Sequence, residues 1–284
     1  MNKVYKVFIV LLLTVGSFFY TNKVVEFIRD SDPIMKKIKT KEVRIQKPID
    51  AKITNDRITP GIYGKSINYN ESFKKMKKYG KYNSELTVFQ DVAPAITIDD
   101  YYDKYITEGN SIKNAVSLVF TVNTTDNIDE IISVLDEYNV TATFFLDGLW
   151  LENNINRAIS MKDKHELEIL NYNSRYEELY FTSSIKLISD ITGKAAKYCY
   201  ATYDQKEVLE LCSKLKLHTI IPTITTGNYP YGVIKTKLRN ASIIGMPVNS
   251  STKIELSTII SYIKQRGYNL VNLETLLSED IDSK

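Results

Sequence analysis

From Asn114 to Gly148 the chain alternates apolar runs with one amphipathic stretch. Residues 115–122 are almost unbroken apolar sequence of strand length, Ile128, Ile131, Ile132 and Leu135 then recur at helical spacing, and residues 140–146 form a second apolar run. This is a β-α-β unit, and a helix of that length between two strands predicts a parallel pair with a right-handed crossover. The alternation continues downstream. Residues 167–170 read as a short strand, and Leu179, Ile185, Leu187 and Ile188 as one face of a helix that Gly193 terminates. Strands over 197–202, 219–224 and 241–246 are interleaved with helices over 207–215 and around Ile254, Ile259, Ile260 and Ile263, the last ended by Gly267 before a closing strand over 269–273. Repeated βα units predict an α/β fold, a parallel sheet covered by helices and either closed into a barrel or left open.

The first part of the chain has a different pattern. Lys3 and Lys6 precede a mostly apolar run over residues 7–20, the arrangement of a secretory signal or signal-anchor. The run lacks a small-residue cleavage site, so residues 1–22 are expected to be a transmembrane signal-anchor, with the bulk of the chain outside the cell; cleavage would make the protein secreted. Residues 23–41, charged and interrupted by Asp32-Pro33, read as a stalk, and residues 42–110 as a small mixed α/β region. Within it a short helix over 71–79 is expected to open after Asn70 as N-cap. That helix and its exit carry Lys74, Lys75, Lys77, Lys78 and Lys81, which read either as a surface for anionic wall polymers or lipid headgroups or as a solvated face. Residues 111–284 form the main domain.

Composition narrows the chemistry. A chain of 284 residues with 43% hydrophobic and 25% charged content has material for a sizeable core, and a net charge of +3 gives no reason to expect nucleic acid. It has two histidines, His165 and His218, which leave little for a transition-metal site or a histidine base. The two cysteines, Cys199 and Cys212, could pair in an oxidising compartment, but spacing alone does not place them within bonding distance.

Val140-Thr141-Ala142-Thr143-Phe144-Phe145 resembles the VxATFF strand of the polysaccharide deacetylase family, the NodB-like carbohydrate esterases. The similarity runs in order from about Asn114 to Leu277. Lys164-His165-Glu166-Leu167 resembles the GHE[IL] strand, residues 198–203 stand where members carry FRPPYG, residues 241–248 where a strand ends in LHD, and residues 259–277 resemble the closing segment. The resemblance implies a distorted (β/α) barrel. In active members a divalent metal held by one Asp and two His polarises the acetyl carbonyl and activates water, a second Asp acts as base and a late His as acid.

Carried across residue by residue, those roles have no suitable occupants. The two aspartates fall on Thr121 and Val122, the metal histidines on Leu170 and Ser174, the arginine near Tyr200 and the late histidine on Pro247. The metal positions are thus Val122, Leu170 and Ser174, and no cofactor is expected. Strand-end residues with hydroxyls, amides or rings (Asn123, Thr124, Asn171, Tyr172, Tyr200 and Tyr203) are the candidates for holding a sugar without metal. The reading is a membrane-anchored, catalytically inactive, deacetylase-like protein of the cell envelope whose partner is a wall glycan or an envelope protein. An active metal-dependent deacetylase with an altered site and an envelope or spore-assembly scaffold are the alternatives.

Overall fold

The computed structural model describes residues 23–40 and 45–280, together with residues 11, 13, 14, 17 and 20. Two compact units are formed, one of residues 1–47 and 64–92, the other of residues 48–63 and 93–284.

The larger unit is built on an 11-stranded sheet. Its strands are β1 (Lys52–Thr54), β2 (Arg57–Thr59), β3 (Tyr105–Ile106), β4 (Ala115–Val122), β5 (Thr143–Asp147), β6 (Glu166–Asn171), β7 (Tyr198–Tyr200), β8 (His218–Ile220), β9 (Ile224–Thr225), β10 (Ile243–Pro247) and β11 (Asn269–Leu270). Its helices are α1 (Asp129–Glu137), α2 (Gly148–Asn153), α3 (Ile155–Met161), α4 (Glu178–Thr192), α5 (Lys206–Lys214), α6 (Pro230–Lys237), α7 (Ser250–Gln265) and α8 (Leu273–Leu277). The strand order is β1-β2-β3-β8-β7-β6-β5-β4-β10-β9, with β11 added to β4. Every pairing is parallel except that of β1 with β2.

Period-two alternation along β4 splits its side chains between two cores. Val116, Leu118, Phe120 and Val122 join Ile131 and Leu135 of α1, Phe181 and Ile188 of α4 and Ile259 and Ile260 of α7. Ala115 and Val119 instead join Phe145, Leu170, Tyr198, Tyr200 and Ile220 on the concave side, where α8 contributes Leu273, Leu276 and Leu277. Each fully buried leucine or phenylalanine contributes about 1.5–3 kcal/mol of transfer free energy, so both faces of the sheet are strongly held.

Two expectations about architecture are overturned. The sheet is curled but not closed: β1 pairs only with β2 and β9 only with β10, so the strand path has two ends and forms a half-barrel. The three leucines of α8 cover the concave face in place of closure. The expected N-terminal membrane span also fails, because among the described residues no helix is long and apolar enough to cross a membrane. Most of residues 1–22 lie outside the described residues, and the helical residues 23–31 that follow include Lys23, Glu26, Arg29 and Asp30.

Local signals stand close to where the pattern put them. α4 ends at Gly193, whose φ of 73° lies in the left-handed region that glycine adopts without strain. The closing strand is shorter than expected, because Asn272 accepts a hydrogen bond from Thr275 N and starts α8. Cys199 of β7 and Cys212 of α5 are disulfide-bonded, a pairing the spacing left open.

In the smaller unit a helix (Pro33–Thr40), an antiparallel strand pair (Gly64–Ile67 with Phe89–Val92) and a second helix (Tyr69–Tyr79) surround a core of Ile38, Ile67 and Met76. The N-cap of the second helix is Asn68 and not Asn70: its side chain accepts from Glu71 N at 3.0 Å. The helix therefore begins with Tyr69, and Gly80 closes it at φ 90°.

Candidate functional site at the carboxyl end of the half-barrel

In open α/β sheets ligands bind beyond the carboxyl ends of the strands, and the family-derived positions all fall there. β4 ends at Thr121-Val122, β5 at Asp147, β6 at Asn171, β7 at Tyr200 and β10 at Pro247. Thr121 lies opposite Phe145 on one side and Pro247 on the other. The β5–β6 register shifts between Leu146 and Asp147, which brings Asp147 opposite Asn171.

Asp147 organises this end. It is 2% exposed and caps α2, its Oδ1 accepting from Leu149 N at 2.9 Å and Trp150 N at 3.3 Å. Thr124 Oγ1 donates to the same oxygen at 3.2 Å. Beside it, Asn171 is 7% exposed and its Oδ1 has no hydrogen-bond partner. A buried amide oxygen left unpaired costs about 1–3 kcal/mol. Tyr172, the next residue, stacks on Tyr180 with centroids 4.7 Å apart and donates its hydroxyl to Glu152 at 3.0 Å. A Cβ on Gly148 would stand 2.6 Å from the Tyr172 ring and 2.1 Å from Ser184 Oγ, so only glycine permits that ring position.

The six candidate binding residues therefore separate. Thr124, Asn171 and Tyr172 gather around Asp147. Asn123 is taken up in a turn, its backbone and side-chain nitrogens donating to Asp126 Oδ2 at 2.7 and 3.2 Å. Tyr200 is 5% exposed in the concave core, 5.2 Å from the Phe145 ring, and burial pushes its phenol up to about 12. Tyr203 is 65% exposed beyond β7. Asp147, Trp150 and Glu152 were missed by sequence reading. The available signal was Asp147-Gly148 at a strand-to-helix junction, which is an N-cap pattern.

The family's metal positions do not fit a metal. Val122 belongs to the helix-side core and Leu170 to the concave core, so they occupy opposite faces of the sheet. Ser174 is exposed in the tight turn that bridges Tyr172 and Arg175, at φ 61°. Hydrocarbon side chains offer no donor, and among the described residues no group of three or more His, Cys, Asp or Glu is placed to hold an ion.

Ionisable chemistry is concentrated at the opposite, amino end. A cleft of about 270 Å³ there is lined by Lys162, Lys164, Glu166, Glu168, Lys197 and Glu274 among others. Glu166 Oε2 accepts from Thr143 Oγ1 at 2.6 Å, Leu273 N at 2.9 Å and Glu274 N at 3.1 Å, which fastens the start of α8 to β6. Glu168 Oε2 accepts from Lys197 N and Tyr198 N, both at 2.9 Å. Desolvation raises Glu166 to about 7 and Glu168 well above the ordinary carboxylate range. Burial lowers His165 to about 4, consistent with a neutral ring whose Nδ1 accepts from Ala142 N at 3.3 Å. Burial also lowers His218, against the opposing pull of Asp99 at 2.9 Å. These contacts tie backbone segments together, and neither histidine stands at the carboxyl end.

Comparison with known proteins bears on the fold. The family described as polysaccharide deacetylase matches residues 108–243. Uncharacterized protein YlxY of Bacillus subtilis (strain 168) is 26% identical over 271 residues, covering 87% of this chain and 84% of that protein. The wild-type crystal structure of BA3943, described as a CE4 family pseudoenzyme from Bacillus anthracis, matches with a TM-score of 0.67 at 24% identity, covering 88% of this chain and 96% of that one. The Bc1960 peptidoglycan N-acetylglucosamine deacetylase matches with a TM-score of 0.56 at 18% identity, covering 64% of this chain and 97% of that one. At these identities the structural likeness is one of fold.

Proposed function

The chain is a polysaccharide-deacetylase-like protein of the NodB type, and from that premise we propose that it is a pseudoenzyme that binds glycan at the carboxyl end of its half-barrel. The observation that carries the reading is the occupation of the catalytic positions by Thr121, Val122, Leu170, Ser174, Tyr200 and Pro247, with Val122 and Leu170 absorbed into separate cores. What is left there suits a sugar. Asn171 holds a buried, unpaired amide oxygen, Tyr172 a stacked ring, and Thr124 and Asp147 further oxygens. A buried Cys199–Cys212 disulfide supports an oxidising, extracytoplasmic setting, where wall glycans are found.

The test is calorimetric titration of the full chain with a β-1,4-linked N-acetylglucosamine tetramer, coupled to an assay for released acetate. Binding without acetate release, weakened tenfold or more by Asn171→Ala and by Tyr172→Ala, is the expected result. Acetate release abolished by a chelator would overturn the inactive reading. Absence of binding, or binding unaffected by both substitutions, would overturn the site.

A further inference from the structure

Residues 271–280 carry α8, whose Leu273, Leu276 and Leu277 belong to the concave core. A helix of five residues does not hold its shape alone, so its place depends on what fastens it. Carboxyl groups do so at both ends. At the start, Glu166 Oε2 accepts from Leu273 N and Glu274 N at 2.9 and 3.1 Å. Beyond the far end, Glu279 Oε1 accepts from Gly61 N at 2.8 Å and from Ile98 N at 3.2 Å, and Tyr63 N donates to the Glu279 carbonyl at 2.7 Å. Between them Lys113 Nζ donates to Thr275 O at 2.7 Å.

We propose that residues 271–280 are a strap, latched at both ends by desolvated carboxyl groups, that docks on the concave core in mild acid and lifts from it as pH rises. The charges around the first latch favour this. Glu166 and Glu168 are two apart on β6, on one face and about 7 Å from each other along the strand. Glu274 adds a third carboxylate from α8 and takes the Lys197 ammonium at 2.5 Å, with Lys194 at 3.9 Å from the same side chain. Lys162 Nζ donates to Ile191 O, Lys164 pairs with Asp136, and His218 pairs with Asp99. Among the described residues no salt bridge reaches Glu166 or Glu168, so a second negative charge on this face is opposed by the first.

Desolvation, aided by Glu274, raises Glu166 to about 7, and desolvation raises Glu279, with Asp99 and Asp100 adding to it. Lifting returns both to water, where a glutamate titrates near 4.5. Docking is thus favoured in full below 4.5 and loses that contribution as pH rises through 7. Glu168, also raised by desolvation, works in the same sense. Lys113, lowered to about 8 by desolvation, acts the other way: its cost to docking fades only between 8 and 10.5. Glu274 and His218 are lowered from 4.5 and 6.5, His165 to about 4, and Lys197 and Tyr198 are raised from 10.5 and 10.0, so none of these changes charge between pH 6.5 and 8. The strap is weakest near pH 8.

This inference is independent of glycan binding at the carboxyl end. The experiment is hydrogen exchange of the full chain, read by mass spectrometry at pH 6 and pH 8 after correction for intrinsic rates. From Glu166 alone, peptides covering 271–280 should show an opening equilibrium about tenfold larger at pH 8, while peptides covering β4 keep their protection. Glu166→Gln preserves an acceptor for both backbone groups and should remove most of that difference. Glu279→Gln, at the other latch, should reduce it independently and serves if the first variant does not fold. Equal protection at the two pH values, a difference that survives both substitutions, or a parallel loss of protection in β4 would overturn the proposal.

Discussion

Asp147 and Asn171 stand opposite each other at the carboxyl ends of β5 and β6, brought into register by a shift between Leu146 and Asp147. One is a buried carboxylate that accepts three hydrogen bonds through a single oxygen, and the other a buried amide whose oxygen accepts none. The first holds the loop that forms the site wall, and the second is left buried without a partner.

Loss of that cap should be measurable. Asp147→Ala leaves Leu149 N, Trp150 N and the Thr124 hydroxyl without their acceptor and should lower stability in urea by about 1–2 kcal/mol. Asp147→Asn, which keeps an accepting oxygen, should retain most of it. Equal losses in both variants would contradict the capping role.

Gly148→Ala should cost about 1–3 kcal/mol through overpacking, since the new methyl meets Ser184 Oγ and the Tyr172 ring. Adding Ser184→Gly should recover only part, because the Tyr172 contact persists. Thermal melts of the single and double variants decide this.

Burial drives the neighbours His165 and Glu166 in opposite directions. Glu166 titrates near 7 when folded against an ordinary 4.5, so its stabilising contribution is present in full below 4.5 and is lost as pH rises through 7. His165, held near 4 against an ordinary 6.5, costs stability as pH falls from 6.5 towards 4. Between pH 4.5 and 6.5 the two slopes oppose each other. Glu166→Gln preserves an acceptor for Leu273 N and Glu274 N and removes one titration, so its stability relative to the parent should rise from pH 5 to pH 8. Urea titrations in which that difference stays flat would rule out a buried, titrating Glu166.

Reduction of the Cys199–Cys212 bond, which closes a sequence separation of 13, should destabilise the larger unit by about 3 kcal/mol. Melting with and without reductant reads this directly, and coincident curves would count against the bond.

Rebuilding the metal set as Val122→Asp, Leu170→His and Ser174→His should not create a zinc site, because the first two side chains lie on opposite faces of the sheet. It should instead lower the melting temperature, since polar groups replace buried hydrocarbon. Near-stoichiometric zinc after dialysis would show that the three positions converge.

The repeated βα units were legible because their signals are local. Residues 115–122 could hardly be anything but a buried strand, and Gly193 ended its helix where the pattern said it would. Non-local outcomes were not legible. Whether a curled sheet closes depends on the two-residue strand Ile224–Thr225 finding a second neighbour, which no periodicity encodes. The approach of Cys199 to Cys212 depends on how α5 packs. Asn70 was a reasonable cap on residue type, but Asn68 holds the geometry because the hydrogen bond to Glu71 N fixes where the helix begins. Thr124, Asn171 and Tyr172, chosen for their strand-end chemistry, lie together around Asp147, whereas Tyr200 was not seen to be enclosed, since inward or outward aim depends on register across β7.

Tyr105–Ile106 pairs in parallel with His218–Ile220 on one side and with Arg57–Ile58 on the other, so residues far upstream finish the sheet. A fragment begun at residue 111 would leave His218–Ile220 as a bare, hydrogen-bond-hungry edge, with Ile220 of the concave core beside it. Such a fragment would be prone to strand-by-strand self-association, and failure to isolate it would say nothing about the intact chain. The place to cut is ahead of residue 48.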